Sequence, residues 1–310
     1  MGSRNYRLGT RDMVQAGRKA LSRACGRGEL SFSSVDTIAD RWAHFAAYAK
    51  TQGIGRMERI TPQLVQEYGR GLADQVTAGK MSPAYAQNMV SAVNTVLHQV
   101  REWRSISPTK DCGIAARSNV RDTPPMSIDR ASLGHALDAL RDAGQHRGAA
   151  VAELARELGL RSKEASLLDA GRALKEAQNR GAVTISEGTK GGRTREVPIT
   201  SPSQISALSR AASIQGNDRA LIPQSQNWHQ WRQGELRNTR QTLQEHTGGG
   251  LHDLRAAYAC DRYNQMTGAA APVMGGQILD RAVDAAAREQ ISKELGHDRI
   301  EVVAAYIGGR

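Results

Sequence analysis

Four short stretches in the second half of the chain carry side chains whose types could do chemistry together. They are Gly159-Leu160-Arg161-Ser162-Lys163-Glu164, Gly188-Thr189-Lys190-Gly191-Gly192, Leu251-His252-Asp253-Leu254-Arg255, and Leu295-Gly296-His297 with Tyr306 nine residues further on. An arginine offers an oxyanion a planar, two-pronged donor. A histidine can give or take a proton near neutral pH. A tyrosine hydroxyl ordinarily titrates near ~10 and needs help to become a nucleophile. Each stretch alone has a plainer reading. An arginine at a helix start is usually a surface charge, and a lysine in a glycine turn is usually solvated. A His and an Arg at i and i+3 share a helix face but often only cap or salt-bridge, and a single Tyr is more often core than reactive.

The elements that must hold these residues can be read from periodicity. Helices are expected at about 130–143, 147–158 and 162–176, which puts Arg161 at a helix-turn-helix junction. The period then changes: Ala182–Ser186 and Arg195–Thr200 read as a hairpin whose glycine-rich turn carries Lys190 and Arg193. Pro198 assigns the second strand to an edge. Residues from about 202 onward are mostly helical; Gly248-Gly249-Gly250 introduces a helix from Leu251, and 268–276 is a Gly/Ala-rich loop.

Upstream, Ile38, Trp42, Phe45, Ala46 and Ala49 share one helix face, with Ser34 or Asp36 available as cap. Thr61-Pro62 and Ser82-Pro83 are helix starts, followed by the stripes Leu64, Tyr68, Leu72, Val76 and Ala86, Val90, Val93, Leu97, Val100. The expected organisation is a basic N-terminal extension over 1–28, with one short basic helix within 11–26, and a helical domain over 29–116. A linker over 117–126 containing Pro124-Pro125 and a larger domain over 127–310 complete it.

The 310 residues suffice for about two domains. The net charge is +11, which points to a polyanionic partner, nucleic acid first. Residues 1–28 alone hold +6, whereas 127–310 hold only +3. With 39% apolar residues the chain is too hydrophobic for a disordered basic tail. Its 13 aromatic residues argue against a protein that stacks single-stranded bases on many rings. No apolar run approaches the ~18 residues of a membrane span, and Arg4, Arg7 and Arg11 lack the apolar stretch of a secretory signal behind them. Three scattered cysteines fit neither a disulfide framework nor a CxxC metal site, and a cytoplasmic setting is expected.

Together and in this order, the four stretches resemble the tyrosine recombinase (phage integrase) family: Arg in G-L-R-x-x-E, Lys on a β-hairpin, H-x-x-R, L-G-H, then Tyr. The run Ser82–Val93 resembles that family's core-binding domain, of SAM-like type, and the basic leader resembles the extra segment of integrases from phages and mobile islands. The resemblance implies a mainly α fold with a small β-hairpin, an α+β catalytic domain paired with a helical domain in a two-domain DNA clamp. It implies a site-specific integrase of a bacterial or phage mobile element, associated with the nucleoid, acting on double-stranded DNA attachment sites as a homotetramer. An excisionase or DNA-bending protein would be a possible accessory, with no metal, cofactor or membrane involved.

By the same resemblance Arg161, Lys190, His252, Arg255, His297 and Tyr306 are the catalytic set. Tyr306 is the nucleophile that forms a 3′-phosphotyrosyl bond, and His252 is its base. Arg161 and Arg255, helped by the histidines, neutralise charge on the transition state. Lys190 is the general acid for the 5′ oxygen, and Glu164 supports Arg161 or His252. Arg4, Arg7, Arg11, Arg18, Lys19, Lys80, Arg101, Arg104 and Arg193 are the expected DNA contacts.

Two features depart from the pattern. The span from His252 to His297 is long, with the added length at about 262–290, read as an inserted loop and helix or as an extended surface loop. Only four residues follow Tyr306, so a further helix that many relatives use to dock on a neighbour is either lacking or cut away. The competing readings are a type IB topoisomerase-like relaxing enzyme, a catalytically silent DNA-binding protein of the same fold, and a basic RNA-binding protein. The last lacks the aromatic strands of common RNA modules.

Overall fold

The computed structural model describes residues 4–297 and 299–310, which fall into two compact units, Met1–Ser118 and Asn119–Arg310. Among the described residues no helix is long and apolar enough to cross a membrane.

The first unit is built from helices α1 (Met13–Gly26), α2 (Phe32–Thr51), α3 (Pro62–Thr77) and α4 (Pro83–His98). Asp12 caps α1 by accepting from Val14 N and Gln15 N, while Thr61 and Ser82 cap α3 and α4 ahead of their first-turn prolines. Within the basic segment 1–28, α1 is not an appendage: Met13, Ala16, Ala20 and Leu21 are buried in the same core as Trp42, Phe45 and Tyr68. The contact is close because Gly17 lies flat on the Trp42 ring, where a Cβ would sit 2.2 Å from Nε1. That Nε1 donates to Met13 O at 2.8 Å. Charge set this segment apart in sequence, but charge lies on the outer face of α1 and says nothing about its inner one.

The second unit holds α5 (Arg130–Asp142), α6 (His146–Leu158), α7 (Ser162–Leu167) and α8 (Ala170–Arg180), then the hairpin β1 (Ala182–Ile185) and β2 (Arg195–Pro198). Helices α9 (Pro202–Gln215), α10 (Trp228–Gln233), α11 (Glu235–Thr247), α12 (Leu251–Thr267), α13 (Arg281–Glu294) and α14 (Ala304–Ile307) follow. Helix α6 is buried along nearly its whole length, as its small apolar residues on every side require. It packs against α5, α7, α9, α11 and α12. The single helix expected over 162–176 is two. Leu168 is extended, and Asp169 restarts the chain as α8 by accepting from Arg172 N at 3.1 Å. The antiparallel hairpin pairs Val183 with Val197 and Ile185 with Arg195, so the period of two turns Arg195 toward the core.

Two expectations about the connections change. Residue 121 is not part of a free linker: Arg121 N donates to Ala304 O at 2.8 Å, and its guanidinium meets Asp253 at 2.5 Å. The stretch 262–290 is not merely a surface loop. It contains the end of α12, a loop over 268–280, and most of α13, which packs along α12 and contributes Ala287 and Ile291 to the core.

Candidate active site

Three chain segments meet around one hydroxyl. The first is the turn between α6 and α7. Gly159 ends α6 at φ +62, with its Cα so close to Tyr258 that a Cβ would sit 2.4 Å from the ring. Only glycine fits there. The turn leaves Arg161 extended at the head of α7, where Glu164 accepts the Arg161 backbone N–H at 2.7 Å and its guanidinium at 2.6 Å.

Glu164 is fully buried and also holds Arg195, with Nη1 to Oε1 at 3.0 Å and Nη2 to Oε2 at 2.7 Å, while Arg255 Nη1 lies 3.7 Å away. Burial alone would raise its pKa. The Arg195 hydrogen bonds and charge, the Arg161 N–H and Arg255 outweigh that and hold it at about 2. Glu164 is therefore a fixed anion among three guanidiniums. It supports Arg161, as one of the two sequence options had it, and also Arg195 and Arg255.

The second segment is the first turn of α12. Arg255 is 1% exposed. Its terminal nitrogens donate to the carbonyls of Gly159 and Leu295, which aims Nε at Tyr306 Oη, 3.3 Å away. Burial, and after the opposing effect of Tyr306 the charge of Arg161, lower it to about 10, so it remains a cation at neutral pH. His252, one turn earlier, has its ring centroid 5.4 Å from that of Tyr306. Partial loss of hydration and then Arg255 lower its pKa, although part of the ring reaches solvent.

The third segment runs from the end of α13 to α14. His297 N donates to Ser292 O at 2.8 Å, and Ser292 Oγ donates to His297 O at 3.0 Å, which fixes the imidazole at the helix end. His297 Nε2 lies 3.1 Å from Tyr306 Oη. Desolvation, then Arg255, Arg161, Arg195 and Lys190, push its pKa down to about 4, so the ring is neutral at pH 7. Sequence reasoning nominated His252 as the base, but the hydrogen bond to the hydroxyl is made by His297. Tyr306 itself is 4% exposed, at the floor of a cleft of about 680 Å³. Arg161, Lys190, Arg193, His297 and Arg299 line that cleft with it. Lys190 begins a short 3-10 turn at the hairpin tip and is exposed.

Arg255 and His297 thus lie at hydrogen-bond distance from the Tyr306 hydroxyl, His252 lies beside its ring, and Arg161 and Lys190 line its cleft, with Glu164 behind Arg161 and Arg255. Of the expected DNA contacts, Arg193 lines the cleft, and the rest lie in the first unit. Arg4, Arg7, Arg11, Lys19, Lys80 and Arg104 are exposed there. Arg18 is paired with Asp36 at 2.7 Å. Arg101 is committed to the fold: it donates to Ile60 O at 2.7 Å and stacks 4.6 Å over the Trp103 ring. Its sequence assignment as a DNA contact overlooked these partners, one of them, Ile60, 41 residues away.

Sequence reasoning missed three supporting residues. Arg195 was legible as the inward partner of Val197 in a strand of period two. Glu294 is fully buried immediately before Leu295-Gly296-His297; it holds Arg262 at 2.7 and 2.9 Å and accepts from Tyr258 Oη at 2.7 Å. Its backbone oxygen accepts from Arg195 Nε at 2.7 Å. Arg121, read as linker, joins the residue beside His252 to the start of α14.

Residues 115–261 match the sequence model of the Integrase family. No curated protein sequence matches the chain. Solved structures share its fold at low identity, among them the following three. The XerH site-specific recombinase bound to a palindromic difH substrate superposes with a TM-score of 0.59 at 16% identity, over 95% of this chain and 79% of that one. The Tn1549 transposon integrase in complex with transposon right-end DNA gives 0.58 at 10%, over 95% of both chains. A lambda integrase dimer bound to a COC′ core site gives 0.58 at 13%, over 94% of this chain and 93% of that one. The family match spans most of the unit that builds the Tyr306 site, and over those residues the chain is similar to the Integrase family, with the fold of solved tyrosine recombinases.

Proposed function

We propose that the protein is a site-specific DNA recombinase that cuts one strand by forming a 3′-phosphotyrosyl bond at Tyr306 and reseals it without metal or nucleotide. The observation that carries this reading is the Tyr306 hydroxyl held at 3.3 Å by Arg255 Nε and 3.1 Å by His297 Nε2, beneath a cationic cleft.

In the step, Tyr306 Oη attacks the phosphorus, the bond from phosphorus to the 5′ oxygen breaks, and the phosphate remains on tyrosine. Neutral His297 accepts the phenolic proton. Its low proton affinity comes in part from surrounding cations, and an entering phosphate offsets those charges and raises it. Arg161 and Arg255 stabilise charge gathering on the non-bridging oxygens. Lys190 delivers a proton to the departing 5′ oxygen. A 5′ hydroxyl from a second DNA end then reverses the step, which conserves the bond energy.

Strand exchange between two duplexes is assigned to four copies of the chain on paired attachment sites, with an excisionase or DNA-bending protein as accessory, in the cytoplasm of a bacterial host. The exposed cations Arg4, Arg7, Arg11, Lys19, Lys80 and Arg104 supply phosphate contacts from the first unit.

Incubation with a random-sequence library of nicked duplexes tests the reading, because a nick lets the cleaved fragment diffuse away. The wild type is expected to leave a detergent-stable protein–DNA adduct, in EDTA as without it, and Tyr306→Phe none. An adduct on the Phe variant would assign the nucleophile elsewhere.

A further inference from the structure

We propose that Arg288, braced by Asp284, is a positioning residue: it sets the Tyr306 hydroxyl by gripping the backbone just beyond the nucleophile. This rests on the reading of Tyr306 as nucleophile and gives a task to the 262–290 stretch that lengthens the span from His252 to His297.

The argument begins with α14, a single turn over Ala304–Ile307. One turn of helix does not hold itself in place, because its few hydrogen bonds do not offset the entropy of forming it. Its position is set by the burial of Tyr306 and Ile307 against α12 and by what grips its ends. On the N-terminal side the Arg121 N–H donates to Ala304 O. On the C-terminal side one buried guanidinium does the work of several contacts: Arg288 Nη1 donates to Gly308 O and Nη2 to Gly309 O, each at 3.0 Å.

The third side of the same plane is anchored, since Arg288 Nε donates to Asp284 Oδ1 at 2.8 Å. Asp284 in turn accepts from Tyr263 Oη at 2.9 Å and from Arg310 Nε at 3.1 Å. Arg288 and Asp284 are 3% and 2% exposed. The loop ahead of α13 closes on the same point: a Cβ on Gly308, whose φ is +89, would meet Val273 N at 2.8 Å. Three donors in one rigid plane can grip two successive carbonyls and a carboxylate at once; an ammonium group has no such fork.

Arg288 is not among the residues lining the cleft, so it acts through Tyr306 rather than on DNA. The consequence for the reaction is geometric. The hydroxyl is held at hydrogen-bond distance from both Arg255 and His297, and a displacement of about 1 Å at a reacting atom costs on the order of 10²-fold in rate.

The test uses the full chain and its Arg288→Ala, Arg288→Lys and Asp284→Asn variants, with two readouts. Amide hydrogen exchange over 304–309 is expected to be about tenfold faster or more in Arg288→Ala and Arg288→Lys, and faster to a smaller degree in Asp284→Asn, with α6 unchanged. Adduct formation on the nicked-duplex library is expected to slow about tenfold or more in Arg288→Ala, with retention of the library on filters within about twofold of wild type. Arg288→Lys keeps the charge and is expected to rescue neither readout.

Unchanged exchange in Arg288→Ala overturns the proposal, as does full restoration by lysine. If Arg288→Ala fails to fold, Asp284→Asn decides by the same exchange measurement. Absence of any adduct from the wild type would count against the reading of Tyr306 and leave the exchange result to judge the grip.

Discussion

Arg195 meets Glu164 with both prongs of its guanidinium, at 3.0 and 2.7 Å, where the carboxylate has no contact with solvent. Arg161 at 2.6 Å and Arg255 at 3.7 Å share that single anion. Three guanidiniums this close repel one another. The buried Glu164 charge lets Arg161 and Arg255 stay poised near Tyr306 before any phosphate arrives.

Replacing Glu164 therefore removes the counter-charge of the whole cluster. Glu164→Gln is expected to destabilise the second unit by about 3–5 kcal/mol, because buried cations lose their partner. Adding Arg195→Met should recover part of that loss, since the most deeply committed cation leaves with the anion. Denaturant unfolding of the two variants measures both effects, and no recovery in the double variant would show that Arg195 is not the main partner.

His297 makes stability depend on pH in a defined window. Its pKa is about 4 in the folded chain and that of an ordinary histidine, ~6.5, in the unfolded one. The unfolded chain thus takes up the proton first, and stability falls as pH drops from about 6.5 toward 4, by at most about 1.4 kcal/mol per pH unit. Glu164 contributes its own loss only below its unfolded value, on the way to about 2. Comparing wild type with His297→Asn by thermal melting between pH 7 and 4.5 isolates the histidine, whose removal should flatten the slope.

The cations of the cleft should separate by step. Arg161→Ala and Arg255→Ala are each expected to slow adduct formation by about 10²–10³-fold, the usual cost of losing one preorganised donor to a developing oxyanion. Lys190→Ala is expected to slow it too, but to be rescued by a substrate whose departing 5′ oxygen is replaced by sulfur, a leaving group that needs no proton. Single-turnover kinetics on both substrates would show this. An unrescued Lys190→Ala would move lysine from acid to anion binding.

Deleting residues 1–28 would uncover Trp42 rather than simply subtract charge. Gly17→Ala alone is expected to destabilise the first unit by about 1–3 kcal/mol, since its Cβ would sit 2.2 Å from Trp42 Nε1. Tryptophan fluorescence during unfolding reports it. The DNA contribution of this segment is better tested by Arg4→Gln, Arg7→Gln and Arg11→Gln together. These exposed side chains, if they touch phosphates, should lower the salt slope of binding by up to about 2–3.

Much of the molecule was legible in the sequence because it depends on local chemistry. Thr61-Pro62 and Ser82-Pro83 start helices wherever they occur, the alternation around Val183 and Val197 makes strands, and the order of Arg161, Lys190, His252, Arg255, His297 and Tyr306 survives any folding. The break at Leu168 was missed because the apolar period runs through it, and only the Asp169 cap marks a new start.

What tertiary structure alone decided is which groups meet. The sequence by itself determined the chemical inventory of this protein: two arginines, a lysine, two histidines and a tyrosine in one order, on helices and a hairpin. It pointed to His252 where the structure puts His297 at the Tyr306 hydroxyl, and it did not reveal that Glu164 serves Arg195 or that the basic leader carries a core helix. Those outcomes depend on contacts between residues 9 to 51 and more positions apart, at tolerances of a few tenths of an ångström. Such contacts are set by the packing of α6 and α13 on α12 in the second unit and of α1 on α2 in the first, which no local pattern encodes.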